Sequence, residues 1–239
     1  MNARNKSREI PTQMIQIPIE EAFLREQLML DSVKTGNDIF LCMFWEASHR
    51  CLVAPKSMQR ILGEASAQGE RERWPIFYRS TGGDVTPQGP GIVNFSVAYT
   101  RPAGERSSIS QSYEDLCSPI LSALKRVGLL GWTGSIKDSF CDGSYNVVVG
   151  NKKFAGTAQR ITKTSSAPRR TAILAHALMM VDGTAHDGVN AINQLYKSAN
   201  LDRRANPKAN TSLSSQGLDK WTFINALTEE ANSYFYQLY

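Results

Sequence analysis

Hydrophobic positions along the chain follow two periods. Glu20 to Val33 repeats at helical spacing through Leu24, Leu28 and Asp31/Ser32. Glu20 and Glu21 suit the positive end of a helix, and Gly36 stops it. Ser112 to Val127 is the most regular stretch. Tyr113, Leu116, Cys117, Ile120, Leu121, Leu124 and Val127 form one apolar stripe, with Ser112 as N-cap, Asp115 three residues on, and Gly128 as terminator. Pro119 inside it predicts a bend. Ser57–Ser66 predicts a short helix, and His186–Asn200 and Leu218–Phe235 predict surface helices.

Alternating or continuous apolar runs predict strands at Ile39–Trp45, Cys51–Ala54, Pro75–Arg79, Gly91–Thr100, Tyr145–Val149, Lys152–Ile161 and Ala172–Val181. The turn Glu46–Arg50 joins the first two. A glycine-rich loop joins Pro75–Arg79 to its return strand Gly91–Thr100. Gly150-Asn151 tolerates positive φ and predicts a hairpin. Asn200 to Gly217 is rich in Asn, Ser and Lys and reads as an exposed loop. Strands and helices mix without strict βαβ alternation, which predicts an α/β chain of the α+β kind, with one mixed or antiparallel sheet. Residues 13–239 read as a single domain after a flexible tail, 1–12.

Composition narrows the class. The 239 residues are 41% hydrophobic and 21% charged, an ordinary globular balance. No run approaches the ~20 apolar residues of a membrane span, and the polar N-terminus lacks the apolar core of a secretory signal. The expectation is a cytoplasmic protein without membrane association. The net charge of +5 fits nucleic acid, an acidic protein or a phosphate-bearing substrate equally. The basic residues are dispersed without interleaved aromatics, which argues against nucleic acid.

Candidate chemistry lies in four places. Of four cysteines, Cys42 and Cys117 fall in apolar patterns and Cys51 opens an apolar strand, so all three read as core residues. No spacing fits a zinc site, and no metal site is expected. Cys141 sits among turn formers before a strand, where it is either an exposed nucleophile or an ordinary loop cysteine. Arg79-Ser80-Thr81-Gly82-Gly83-Asp84 opens a loop that is a ligand cradle or a plain hairpin connection, and no P-loop lysine follows it. Lys152 and Lys153 begin a strand and so point to opposite faces, while mid-strand Gly156 needs something packed closely against its backbone. His176, in an apolar run, reads as a half-buried, hydrogen-bonded side chain.

Taken in order, Arg79 to Asn94, Tyr145 to Arg160 and His176 to Asp182 resemble the lipoate/biotin protein ligase and octanoyltransferase superfamily. The matching patterns are R-x-S/T-G-G followed by G-x-L-N, then G-K-K-x-A-G-x-A/S-Q-R, then H-x-x-L-L-x-D. The resemblance runs from about Ile17 to Asp182. It implies a class-II-synthetase/biotin-ligase-like single domain, with a mixed central sheet flanked by helices and walling a long acyl tunnel. It implies attachment of an acyl chain to a lysine of a lipoyl domain. Ligases of this superfamily use ATP and Mg to form an acyl-adenylate, whereas its cysteine-dependent members pass the acyl group through an enzyme thioester.

Three features favour the thioester. Cys141 stands in an F/Y-C-x-G-x-Y context like that of the cysteine-dependent amidotransferases. Asp84 replaces the third glycine of the ligase pattern G-G-G-x-x-x-H-D, and its carboxylate would repel a phosphate unless it points away or holds Mg. After Asp182 too few residues remain for a conventional C-terminal accessory domain.

The expected nucleophile is therefore Cys141, attacking an octanoyl or lipoyl donor without a cofactor. Lys153 is expected to polarise the acyl carbonyl, helped by backbone N–H groups near Gly82, Gly83 and Gly156. The resemblance assigns substrate binding to Arg79, Ser80, Thr81, Gly82, Gly83, Asn94, Tyr145, Gly156, Thr157, Ala158 and His176. Val93–Phe95 and Val147 are expected to line the tunnel. The partner is an acidic acyl carrier, lipoyl domain or H-protein. The alternatives are an ATP-dependent lipoate–protein ligase and a non-catalytic acyl- or carrier-binding protein.

Overall fold

A computed structural model describes residues 13–63, 74–101, 108–165, 170–183 and 186–238. The expected tail, 1–12, and the end of the helix expected at 57–66 lie outside these residues. Among the described residues ten strands form two sheets, not the single sheet expected. Seven make the large sheet, in the order β1 (Met14–Ile17), β2 (Phe40–Ala47), β6 (Ile92–Thr100), β10 (Thr171–Met180), β9 (Lys152–Lys163), β8 (Val147–Val149) and β7 (Gly131–Thr133). Only β1 and β2 run parallel; every other neighbour is antiparallel. The small sheet has β3 (Cys51–Pro55) between β4 (Ile76–Arg79), which is parallel to it, and the three-residue β5 (Thr86–Gln88). Two expected connections are therefore not hairpins. The turn after β2 carries the chain from one sheet to the other, and β4 pairs with β3 instead of with β6.

The helices are α1 (Ile19–Thr35), α2 (Ile109–Arg126), α3 (His186–Ser198) and α4 (Lys220–Gln237), with a short helical turn at 59–63. α1 ends on Gly36 in the left-handed conformation, as expected. Its buried face differs from the expected one. Ile19, Ala22, Glu26, Leu30 and Val33 are buried, while Leu24 and Leu28 are 58% and 59% exposed. α2 begins a turn earlier than the sequence suggested: Ser108 is the N-cap and accepts from the Gln111 N–H. Ser112 is buried inside the helix. Asp115 is no capping residue; it accepts from the Tyr99 and Tyr234 hydroxyls and pairs with Arg101 in the interior.

α2 and α4 cover one face of the large sheet, where Phe44, Phe95, Ala177, Leu124 and Phe223 belong to one core. The opposite face turns toward the small sheet and α3, around Leu52, Val85, Leu178 and Ile192. The segment before α4 is not simply an exposed loop. Asn210, Thr211, Ser212 and Leu213 are buried, and this stretch bonds to β9 and to the end of β10. Its polar side chains satisfy local backbone groups, as Ser212 and Ser215 do for each other, so it reads as polar yet packs inside.

Candidate active site

The face of the large sheet toward the small sheet carries the candidate chemistry. Antiparallel register places Trp45, Asn94, Leu178 and Gly156 in one row across β2, β6, β10 and β9, and Met43, Ser96, His176 and Ala158 in the next. These rows floor a narrow cleft. Phe23, Trp45, Val53 and Leu178 give it apolar walls, and Cys141, Thr157 and His176 reach into it.

Cys141 stands in the loop before β8 with φ +44°, a left-handed conformation uncommon for a side-chain-bearing residue. Asp142 fixes that loop: its Oδ1 accepts from the Ile136 N–H at 2.8 Å, the Gly143 N–H at 2.9 Å and the Asn146 amide at 2.7 Å. Cys141 Sγ accepts the Asp84 N–H at 3.0 Å, so the glycine-rich loop and the cysteine loop meet at the sulfur. Gly83 allows that meeting. Its φ is +103°, and a Cβ there would lie 2.9 Å from the Arg79 guanidinium and 3.1 Å from Cys141 Sγ. Cys141 is half-buried, whereas burial pushes the Cys51 and Cys117 thiols up to about 12 and raises Cys42 well above its usual value.

Lys153 lies beneath this loop with no exposed surface. Strict alternation would set it opposite Gly156. A β-bulge corrects the phase: Val147 pairs with Ala155 but Val148 with Lys153, which inserts one residue into β9. Phe154 and Ala155 then both join the helix-side core, and Lys153 turns to the face of Gly156. Its Nζ donates to the carbonyls of Phe140 at 2.6 Å and Cys141 at 2.7 Å and sits 4.5 Å from the Phe140 ring centroid. Burial lowers its pKa to about 8, although the neighbouring Cys141 and Asp142 favour the charged form. The mid-strand Gly156 is accounted for by the Lys153 side chain, which fills the space a Cβ would need. Lys152 is exposed.

Two expected ligand residues are also bonded within the scaffold. Arg79, 6% exposed, donates to the Val53, Gly82 and Asp84 carbonyls and to the Thr86 hydroxyl, so it binds its own loop. Burial lowers its pKa and the nearby Cys141 opposes that. Asn94 faces the cleft but is joined to Gln88 by two hydrogen bonds. Asp84 turns its carboxylate away from the loop centre, to the Tyr196 hydroxyl and Arg203, both at 2.8 Å. Its charge is therefore paired, which removes the repulsion argued from sequence. A different obstacle to a phosphate stands in its place: the Asp84 and Val85 N–H groups are already taken, by Cys141 Sγ and the Asp84 carboxylate.

The catalytic domain is recognised on comparison with known proteins. Residues 18–231 match the model of the lipoyl protein ligase A/B catalytic domain. This chain belongs to that family. An "Octanoyl-[GcvH]:protein N-octanoyltransferase" of Kyrpidia tusciae is 30% identical over 200 residues, covering 82% of this chain and 68% of that protein. A Cupriavidus necator protein without a named activity is 37% identical over 169 residues, 65% of each chain. The matches thus span about two thirds of these relatives. A crystal structure of lipoate-protein ligase A bound with ATP superposes with a TM-score of 0.66 at 16% identity, over 94% of this chain and 85% of the other. The lipoyl-ligase fold expected from the sequence is present.

Within the family fold, Arg79, Asn94, Cys141, Gly156, Thr157, Ala158 and His176 converge on one cleft. Thr81 joins them through a 3.4 Å contact with His176 Nε2, and Gly83 through Cys141. Gly82 contributes its carbonyl to Arg79. Ser80 is exposed and lines a neighbouring pocket. Tyr145 stacks on Tyr113 with 4.6 Å between centroids and meets the site through its carbonyl, which accepts from Thr157. Val93, Phe95 and Val147 do not line the cleft; strand alternation sends them to the helix-side core, and Asn94 alone of its tripeptide faces the site. Among the described residues no three His, Cys, Asp or Glu side chains cluster to hold a metal, and no helix is long and apolar enough to cross a membrane.

Glu26 is a site residue that the sequence pattern did not expose. Its carboxylate reaches His176 Nδ1 at 3.2 Å and accepts from the Ser96 hydroxyl at 2.6 Å, which in turn accepts from the Trp45 indole. Burial raises the Glu26 pKa, but His176, Ser96 and Trp45 outweigh it and leave the carboxyl below its usual value. The available signal was a carboxylate inside the stripe 19-22-26-30-33 of α1. The more visible Leu24 and Leu28 obscured it.

Proposed function

We propose that this chain is an acyltransferase that moves an octanoyl or lipoyl group through a Cys141 thioester to a lysine of a lipoyl-domain or H-protein acceptor. The observation that carries this reading is the meeting of two loops on one half-buried sulfur, with a buried ammonium bonded to the carbonyl of the same cysteine and an apolar cleft beside it. The Kyrpidia relative, named for octanoyl transfer from GcvH, supports the same chemistry.

The Cys141 thiolate attacks the carbonyl carbon of the acyl donor. For an octanoyl-lysine amide, a C–S bond forms, the C–N bond breaks, and the lysine amine leaves with one added proton. The acceptor amine then attacks the thioester, the C–S bond breaks, a proton is released and the thiolate returns. Two of the three Lys153 protons hold the Phe140 and Cys141 carbonyls. In this reading the third is left for the developing oxyanion, where a fixed cation in a dry site acts most strongly. His176, oriented by Glu26, faces the same cleft and is placed to exchange protons with the amines.

An acidic lipoyl domain or H-protein as acceptor is compatible with the mildly basic charge of the chain. The occupied Asp84 and Val85 N–H groups weigh against the ATP-dependent alternative. The experiment incubates the protein with octanoylated H-protein and an unmodified lipoyl domain, with and without ATP and Mg. Transfer independent of ATP is expected; transfer that requires ATP and releases AMP would replace this reading with the ligase.

A further inference from the structure

The sulfur of Cys141 is tied to a residue that distant parts of the chain hold in place. The loop from Ser80 to Val85 carries two adjacent glycines, Gly82 and Gly83, the second at φ +103°. Such a stretch has many accessible conformations, and restraints from outside it must select one. Asp84 supplies them with every polar atom it has. Its N–H donates to Cys141 Sγ at 3.0 Å, and its carbonyl accepts from Arg79 at 2.9 Å. Its Oδ1 accepts from the Val85 N–H and from the Tyr196 hydroxyl, both at 2.8 Å, and its Oδ2 accepts from Arg203, also at 2.8 Å.

The two distant partners are unequal. The Arg203 side chain is 53% exposed, and an ion pair at such a surface contributes little. Tyr196 is 3% exposed and packs on α3 in the core that also holds Val85, Leu178 and Ile192. Its hydroxyl is a fixed, buried donor to a carboxylate, which makes it the stronger restraint. A hydrogen-bond donor aimed at the sulfur favours the thiolate, the reacting form. The Asp84 charge works the other way, because a carboxylate beside a thiolate disfavours it. The aim and the charge of Asp84 therefore have opposite consequences when the side chain is removed.

We infer that Asp84, pinned by Tyr196, is a positioning residue for the nucleophile: it holds its backbone N–H on Cys141 Sγ and keeps the sulfur in its reactive form. The use made of that thiolate rests on the acyl-transfer reading, whereas the tie itself can be measured without an acyl donor. Other charged and titratable groups also face the sulfur or its loop. They are Lys153, bonded to the Cys141 carbonyl, the Arg79 guanidinium, Asp142, Tyr113, and His176 across the cleft. None of them is changed in the variants below, so their influence cancels in the comparison.

The test follows alkylation of Cys141 by iodoacetamide, located by peptide mapping, at pH 7 and pH 9.5. Wild type, Tyr196→Phe, Asp84→Asn and Asp84→Ala are compared. The ratio of the two rates within one variant reports the thiolate fraction at neutral pH. Tyr196→Phe changes no charge at pH 7, and Asp84→Asn keeps an acceptor for Tyr196 and Val85. The ratio is expected to fall about three-fold or more in Tyr196→Phe and in Asp84→Ala, and to no less than about half of wild type in Asp84→Asn. An unchanged ratio in Tyr196→Phe would overturn the tie. So would a ratio in Asp84→Ala that is unchanged or raised, as loss of a carboxylate alone would give, or an Asp84→Asn ratio as low as that of Asp84→Ala. Octanoyl transfer is measured on the same proteins. A wild type that alkylates as expected but transfers no acyl group would overturn the acyl-transfer reading and leave the tie standing.

Discussion

Replacing Lys153 with Met separates what this residue costs the fold from what it supplies to the reaction. Its pKa falls from 10.5 to about 8 through burial, a difference worth about 3 kcal/mol against the charged form. Folded pKa lies below unfolded pKa, so the unfolded chain binds more protons between those values. The penalty is fully present below pH 8 and fades as pH rises toward 10.5. Wild-type stability should therefore climb relative to Lys153→Met across that window. At pH 7, Met removes the penalty but leaves the Phe140 and Cys141 carbonyls without a donor, a loss of about 1–3 kcal/mol each. The two effects offset each other, and net stability should change by no more than about 3 kcal/mol. Acyl transfer should fall by about 10²–10³, as when a fixed oxyanion donor is removed. In wild type the same deprotonation should lower transfer as pH rises through about 8, while stability rises. Urea unfolding at pH 7 and 9.5, with transfer rates at both, reads all three. A stable Lys153→Met enzyme with wild-type transfer, or a wild type with no alkaline loss, would refute the role given to this ammonium.

Gly83→Ala forces a Cβ against Arg79 and Cys141 in a left-handed backbone; transfer should drop about 10²-fold from displacement of the sulfur, with a much smaller change in Tm. Asp115→Asn leaves Arg101 poorly paired in the interior beneath Tyr99 and Tyr234, and should cost about 3–5 kcal/mol in urea unfolding. Glu26 has a folded pKa below 4.5, so its stabilisation is present above 4.5 and is lost as pH falls below it; Glu26→Gln should flatten that acid limb of the unfolding curve.

Much of this could be read from the chain, and the failures have physical causes. Period and punctuation located α1, β9 and β10 to within a few residues because Gly36 and the Gly150-Asn151 turn are local signals. Sheet membership is not local. Nothing between Ala47 and Cys51 reveals that the next strand joins another sheet. Cys141 and Lys153 were legible as residue types in a motif, but the bulge that aims Lys153 is a register property shared with β8. Glu26 and Gln88 were missed because each acts through a partner at least six positions away, His176 and Asn94. Arg79 was legible as a motif residue, but not the turning of its donors onto its own loop, which depends on how that loop folds back.

Transfer through a thioester requires that the acyl group rest on Cys141 between donor and acceptor. The direct measurement is the intact mass of the protein after brief exposure to octanoylated H-protein without ATP, followed by peptide mapping. One octanoyl adduct is expected, labile to hydroxylamine, located on Cys141 and missing from Cys141→Ala. An adduct that persists in Cys141→Ala, or transfer to the acceptor by that variant at the wild-type rate, would contradict it.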